Sequence, residues 1–153
     1  MAGGLTVKVN IDGVRDTLAA FRNLPKDASD ELRDRSQELA ETLAVKVRAA
    51  GNAMGRQDAV VARSVRARRD RVPVITAGGR GKAGLLVFGS EFGMNKRSGW
   101  YAARRFDGSE GRQFREHVGQ SSWWFFRTVE ENEAQIGREW TEAADTIVRK
   151  WAS

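Results

Sequence analysis

The chain has no cysteine, so it offers neither a disulfide nor a thiolate that could act as nucleophile or metal ligand. It has two prolines, one histidine and no apolar run near the roughly 20 residues that a helix needs to cross a bilayer. Its first residues lack the charged start and apolar stretch of a signal peptide. These absences predict a single globular domain over residues 1–153 that is assembled in a reducing cytoplasm.

The net charge of +6 is concentrated in the middle of the chain. Residues 56–115 contain 14 Lys and Arg against 5 Asp and Glu, whereas the flanks together are slightly acidic. A clustered basic region attracts polyanions through counterion release and long-range steering. A solvated charged face explains the same composition equally well.

Hydrophobic periodicity predicts three extended segments. They are an alternating strand over residues 5–12, an extended run over 65–77 and a short buried strand over 85–89. The last two would form a hairpin across the glycine-rich turn GGRGKAG at 78–84, with Arg80 and Lys82 at a basic tip. That turn lacks the spacing of a nucleotide-binding loop, and we expect it to join two strands rather than open a helix.

Helical spacing of apolar residues predicts four helices. They cover residues 14–24, a long segment 26–50 with Gly51 as its C-cap, a short segment 58–65, and a final segment 123–151. Residues 94–122 are expected to be mostly an irregular loop. The predicted class is therefore α+β, a small antiparallel sheet packed with a long central helix and a long C-terminal helix.

The only histidine, His117, has Glu110 and Glu116 nearby in sequence, so a general base, for example of a nuclease, has to be considered. A metal site normally gathers several ligands, no second His exists, and no Ser is framed as Gly-x-Ser-x-Gly. We expect His117 to stabilise its loop, and we expect no catalytic residue, bound metal or cofactor.

Five arginines fall within nine residues: Arg63, Arg66, Arg68, Arg69 and Arg71. On a strand, Arg66 and Arg68 would share one face while Arg69 and Arg71 share the other. Such density suits phosphate contacts without base readout, and it suits equally well ion pairs between subunits. Both alternatives stay open at this point.

Four consecutive aromatics, Trp123, Trp124, Phe125 and Phe126, point around the whole start of the final helix. A small domain can bury two or three such rings, but four are harder to hide. Exposed apolar patches usually mark interfaces, so subunit contact is favoured over stacking on single-stranded bases.

Three segments, taken in order, resemble the tail-completion, or neck, family of long-tailed bacteriophages, to which lambda minor tail protein Z belongs. The first is VNIDGVRDTLAAFRNLPKDASDELRDRSQELAETL at 9–43, a short helix, a proline and a long charged helix. The second is VFGSEFG at 87–93, which is similar to a strand-ending segment of that family. The third is RQFREHVGQSSWWFFRTVEENEAQI at 112–136, leading into the last helix.

The resemblance implies a structural, non-enzymatic virion protein, assembled in the host cytoplasm and without a membrane partner. Family members are expected to form a ring, of six copies, that completes the tail and joins it to the head connector. Expected partners are further copies of the chain, the tail terminator, the tail tube or stopper, and the DNA that passes through the lumen. The alternative is a free-standing, sequence-non-specific nucleic-acid-binding protein that uses the arginine cluster at 63–71.

Two sets of site residues follow from these expectations. The set predicted to face DNA is Arg66, Arg68, Arg69, Arg71, Arg80 and Lys82. The set predicted to contact neighbouring subunits is Phe88, Phe92, Trp100, Tyr101, Phe114, Trp123, Trp124, Phe125 and Phe126.

Overall fold

The computed structural model describes residues 3–92 and 123–152, which contain three β-strands and five α-helices in the order β1-α1-α2-α3-β2-β3-α4-α5. The strands are β1 (Gly3–Lys8), β2 (Arg66–Arg68) and β3 (Val74–Gly79). The helices are α1 (Val14–Ala19), α2 (Lys26–Met54), α3 (Arg56–Ala62), α4 (Lys82–Phe92) and α5 (Phe125–Ala152).

The described strands form one antiparallel sheet in the order β1-β3-β2, so among the described residues β3 is central and both neighbours are edge strands. In the β2–β3 pair, Arg66 lies opposite Thr76 and Arg68 opposite Val74. Beyond β1, the amide of Val9 donates to the carbonyl of Pro73 at 3.0 Å. Together with the long helices α2 and α5, this sheet confirms the predicted α+β class.

The chain divides into two compact units. Among the described residues, the first unit contains 3–5, 46–65, 77–92 and 123–128, and the second contains 6–45, 66–76 and 129–152. Helices α2 and α5 each contribute residues to both units. The single domain expected from chain length stays a prediction.

The apolar stripes predicted on the two long helices are buried. On α2 they are Ala28, Leu32, Leu39, Ala40, Leu43, Ala44 and Val47. On α5 they are Val129, Ile136, Trp140, Ala144 and Ile147. Two further residues predicted in the α5 stripe, Ala143 and Trp151, are only partly buried. Recurrence at three, four and seven residues places these side chains on one face, and burial of that face stabilises the helices far more than intrinsic propensity does.

The predicted strand at 85–89 is wrong, because these residues lie inside helix α4. Leu86 and Val87 are buried while Leu85 is exposed. A short apolar run fits a buried strand and a buried helix equally well, so periodicity alone does not separate them. The glycine-rich segment before it therefore joins β3 to a helix and is not a hairpin tip. For the same reason, VFGSEFG is helical up to Phe92 and does not end a strand.

The single extended run predicted over 65–77 is also wrong, because it is two strands joined by a turn at residues 69–73. The Asp70 carboxylate accepts the amide hydrogen of Arg71 at 2.6 Å, a local bond typical of Asp in turns. Pro73 has no amide hydrogen to donate and precedes the first residue of β3. The hairpin thus closes through Arg-Asp-Arg-Val-Pro rather than through the glycines.

The structure shows why glycine is needed at Gly51 and in the glycine-rich turn. Gly51 is not a C-cap, because α2 continues to Met54 and a Cβ on Gly51 would lie 2.7 Å from Cζ3 of Trp124. Gly78, Gly79 and Gly81 all have positive φ, of 89°, 103° and 82°, which only glycine adopts at little cost. The chain reverses tightly there between β3 and α4.

We predict opposite effects of the same substitution at two helical glycines. In Gly84→Ala the new Cβ would collide with the carbonyl oxygen of Gly79, so the free energy of unfolding should fall by about 3 kcal/mol. In Gly137→Ala the nearest side-chain atoms are 3.8 Å away, and helix propensity should raise stability by up to about 1 kcal/mol. Urea unfolding followed by circular dichroism measures both. Equal effects at the two sites would contradict the close approach of α4 to the end of β3.

Candidate nucleic-acid and subunit interfaces

Arg66 and Arg68 lie on edge strand β2 with exposed side chains, separated by the half-buried Ala67. Alternation along the strand places both on one face, as predicted. The guanidinium of Arg68 is 4.0 Å from the carboxylate of Asp70, and the ammonium of Lys8 is 3.9 Å from it. Long, exposed pairs of this kind add little stability, so the positive charge remains available at the surface.

Arg69 and Arg71 do not share a strand face, because β2 ends at Arg68 and both lie in the turn. Arg69 forms an ion pair with Asp34 of α2 and donates to the Asp30 carbonyl at 3.4 Å. Ion pairing to an acidic helix residue therefore occurs, but within one chain. The side chain of Arg71 is exposed.

The backbone of this turn is fixed by a buried polar contact between three residues. The Nε1 atom of Trp140 donates to the Ser36 hydroxyl at 3.0 Å and to the Arg71 carbonyl at 2.9 Å. The Ser36 hydroxyl also donates to the same carbonyl, at 2.8 Å. Trp140 and Ser36 are fully buried. The exposed Arg71 side chain thus projects from a backbone held by α2 and α5.

Arg80 and Lys82 are exposed in and just after the glycine turn. Arg80 lies between Gly79 and Gly81, and Lys82 is the first residue of α4. Both therefore present positive charge from the point where the strand passes into the helix, within the first unit.

Two of the four consecutive aromatics are part of the core of the first unit. Trp124 is 2% exposed and Phe125 is 0% exposed, so their apolar surface is covered within the chain. Trp124 fits against Gly51, where any larger residue would collide with its ring. Burial inside the chain, rather than subunit contact, accounts for these two side chains.

The other described aromatics of the set predicted to contact neighbouring subunits are partly exposed: Phe88, Phe92, Trp123 and Phe126. Phe92 and Phe126 stack with ring centroids 6.0 Å apart at 27°. These four stay predicted interface residues. Trp100, Tyr101, Phe114 and His117 lie outside the described residues.

Glu91, a fully buried carboxylate one residue before the end of α4, has a role that no sequence pattern predicts. Its Oε1 accepts the amide hydrogens of Trp124 and Phe125 at 3.1 and 3.0 Å, and its Oε2 accepts that of Phe126 at 2.9 Å. Its backbone carbonyl accepts the amide of Trp123 at 2.8 Å. Glu91 thus caps the start of α5, where unpaired amides and the helix dipole favour a negative charge.

A second buried contact joins α3, α4 and the start of α5. The Ser90 hydroxyl donates to the Asp58 carboxylate at 2.5 Å and accepts the Nε1 hydrogen of Trp124 at 2.9 Å. Asp58 is 2% exposed and Ser90 is fully buried. Each of these bonds is worth more than a surface bond because breaking it would leave a buried polar group unpaired. The one sequence signal for both contacts is a polar Ser-Glu pair inside the apolar segment LLVFGSEF.

Within residues 3–92 and 123–152, no three His, Cys, Asp or Glu side chains are grouped so that they could hold a metal ion. The same residues include no helix with the length and hydropathy of a membrane span.

Comparison with known proteins found no matching family model, no matching curated protein and no matching solved structure.

Replacing Glu91 by Gln should destabilise the protein by about 3 kcal/mol. The Gln side chain has no negative charge, and its NH₂ group is a donor that would face backbone N–H groups, which need an acceptor. The matched control is Glu131→Gln, an exposed residue further along α5, which should change stability by no more than about 0.5 kcal/mol. Urea midpoints of the two variants test this. Equal midpoints would show that the cap contributes nothing measurable.

Proposed function

We propose that this chain is a structural protein of a bacteriophage neck that forms a ring, completes the tail, joins it to the head connector and lets DNA pass. The proposal rests first on the three sequence segments that resemble the tail-completion family. The observation that best supports it is the exposure of Arg80 and Lys82 on the tight turn between β3 and α4. Arg and Lys side chains contact phosphates without reading bases.

DNA that must slide through a ring needs weak contacts that are the same at every sequence. Phosphate contacts meet this requirement, because their free energy comes from counterion release and not from base identity. In the proposal, Arg80 and Lys82 supply such contacts, whereas Arg69 is committed to Asp34. The partly exposed rings of Phe92 and Phe126 are apolar surface of the kind that subunit interfaces cover.

We expect the purified chain to form rings, visible by negative-stain microscopy and measurable by light scattering. The assembled protein should bind a 30-base-pair duplex with an affinity that falls as salt rises. Replacing Arg80 and Lys82 by Ala should lower the slope of log affinity against log salt by about 2, since each lost phosphate contact contributes about 0.9. Ring assembly should be unchanged.

The matched control removes the same charge elsewhere, by replacing the exposed Arg15 and Arg22 with Ala. The control should leave the salt slope unaltered within about 0.5. Particles that stay monomeric at every concentration would contradict the ring. Equal losses of DNA binding in both double variants would contradict a specific role for the glycine turn.

The second candidate is a free-standing DNA-binding protein that uses the arginine cluster, favoured by the exposure of Arg66 and Arg68 on an edge strand. It predicts that the monomer binds duplex DNA and that replacing both residues by Ala lowers this affinity at least about tenfold at 50 mM salt. Fluorescence anisotropy on the monomer checks it. Unchanged DNA binding together with lost assembly would exclude this candidate.

A further inference from the structure

The second unit contains an open groove of about 640 Å³ between α5 and the residues that follow β1. Among the described residues that line it, four are carboxylates, from Asp12, Glu130, Glu133 and Glu142, and one is a cation, Arg138. Asp12, Glu130 and Glu142 are exposed, and Glu133 accepts the amide hydrogen of Asn10 at 2.9 Å. The groove is therefore strongly acidic on a chain whose net charge is +6.

The groove follows one continuous face of α5. The helix residues that line it recur at three and four residues: Glu130, Glu133, Ala134, Gly137, Arg138, Thr141 and Glu142. Residues with this spacing lie above one another on a helix. This face is distinct from the buried stripe that includes Ile136 and Trp140.

Gly137 lines this groove, and packing among the described residues does not require a glycine there. A Cβ placed on it would meet only Ile11, at 3.8 Å, which is ordinary van der Waals contact. An alanine would fit and would favour the helix by about 1 kcal/mol. The missing side chain leaves room for close approach by something that enters the groove.

The second unit also has a basic surface, whose charge is opposite to that of the groove. Arg66 and Arg68 are exposed on β2, and Arg71 is exposed in the turn that Trp140 and Ser36 hold. In the sheet order β1-β3-β2, this surface lies at one edge while the groove adjoins the residues that continue from the opposite edge strand. A second copy can bring its β2 edge to the groove of the first, and the opposite charges of the two surfaces favour that contact.

We propose that the groove binds the β2 edge of a second copy of this chain, with Arg66 and Arg68 facing Glu130 and Glu142. This inference rests on the proposed self-assembly and adds the two surfaces that carry it. Each copy would offer a groove to one neighbour and an edge to the other, which is a heterologous contact, the kind from which rings are built when the rotation between copies closes. It also covers the exposed edge strand, which would otherwise invite unspecific pairing.

Charge reversal tests this contact. Variant A carries Glu130→Arg and Glu142→Arg, so its groove and its β2 edge are both basic. Variant B carries Arg66→Glu and Arg68→Glu, so both surfaces are acidic. Each variant alone should need at least about tenfold more protein to assemble than the unaltered chain, because like charges would face each other.

Mixing A and B in equal amounts should restore assembly, because each groove then meets an edge of opposite charge. The mixed particle must alternate A and B, so it can close only with an even number of copies. A single chain that carries all four reversals should also assemble. Light scattering, native mass spectrometry and microscopy measure these outcomes, while circular dichroism and urea unfolding confirm that each variant is folded.

The matched control for variant A is Glu131→Arg with Asp145→Arg, two exposed residues of α5 outside the groove, and it should assemble like the unaltered chain. Loss of assembly in this control would show that the total charge of the chain, and not the groove, controls assembly, and it would overturn the inference. Normal assembly of A and B would overturn it while leaving the proposed ring intact. Failure of the mixture to assemble would overturn the pairing of the groove with the β2 edge. An unaltered chain that never assembles would remove the proposed function and this contact together.

Discussion

The first unit depends on the capping of α5 by Glu91. A carboxylate that is fully buried costs several kcal/mol unless it is paired, and here three backbone amides and the positive end of a long helix offset that cost. The bond between the Glu91 carbonyl and the Trp123 amide closes the same junction. These bonds therefore hold the end of α4 beside the start of α5. The cap also sets the angle at which Trp124 and Phe125 enter the core.

The second unit is organised by an analogous contact, in which Trp140 and Ser36 both bond to the Arg71 carbonyl. The bond joins two long helices to a short hairpin that has little core of its own. Since β2 has only three residues, its position depends on this turn and on pairing with β3. The exposed arginines are thus held at a defined place, which is what a surface needs if it is to fit one particular neighbour.

The parts of the fold that the sequence predicts are those set by long periodic patterns. The stripes of α2 and α5 repeat over many turns, so their burial follows from spacing alone. The prediction of a strand at 85–89 failed because that segment is short and apolar, and because its helix is selected by contacts distant in sequence. Gly84 packs close to the backbone nitrogen of Gly3, and Glu91 accepts hydrogen bonds from amides more than thirty positions away. Trp124 is likewise buried because Gly51 leaves room for it, a pairwise fit that no local pattern contains.

In the proposed ring, the basic residues would be divided between subunit contact and DNA contact, and this division would let a positively charged chain guide DNA without binding it tightly. Every phosphate contact adds to affinity and to its dependence on salt, so a channel lined by all the arginines would bind DNA tightly. In the proposed ring, Asp34 neutralises Arg69, and the acidic groove of a neighbour neutralises Arg66 and Arg68. Among the described residues that were predicted to face DNA, Arg71, Arg80 and Lys82 then remain. A few cations per subunit, repeated around a ring, keep the duplex centred while each contact stays weak enough to exchange as the DNA moves.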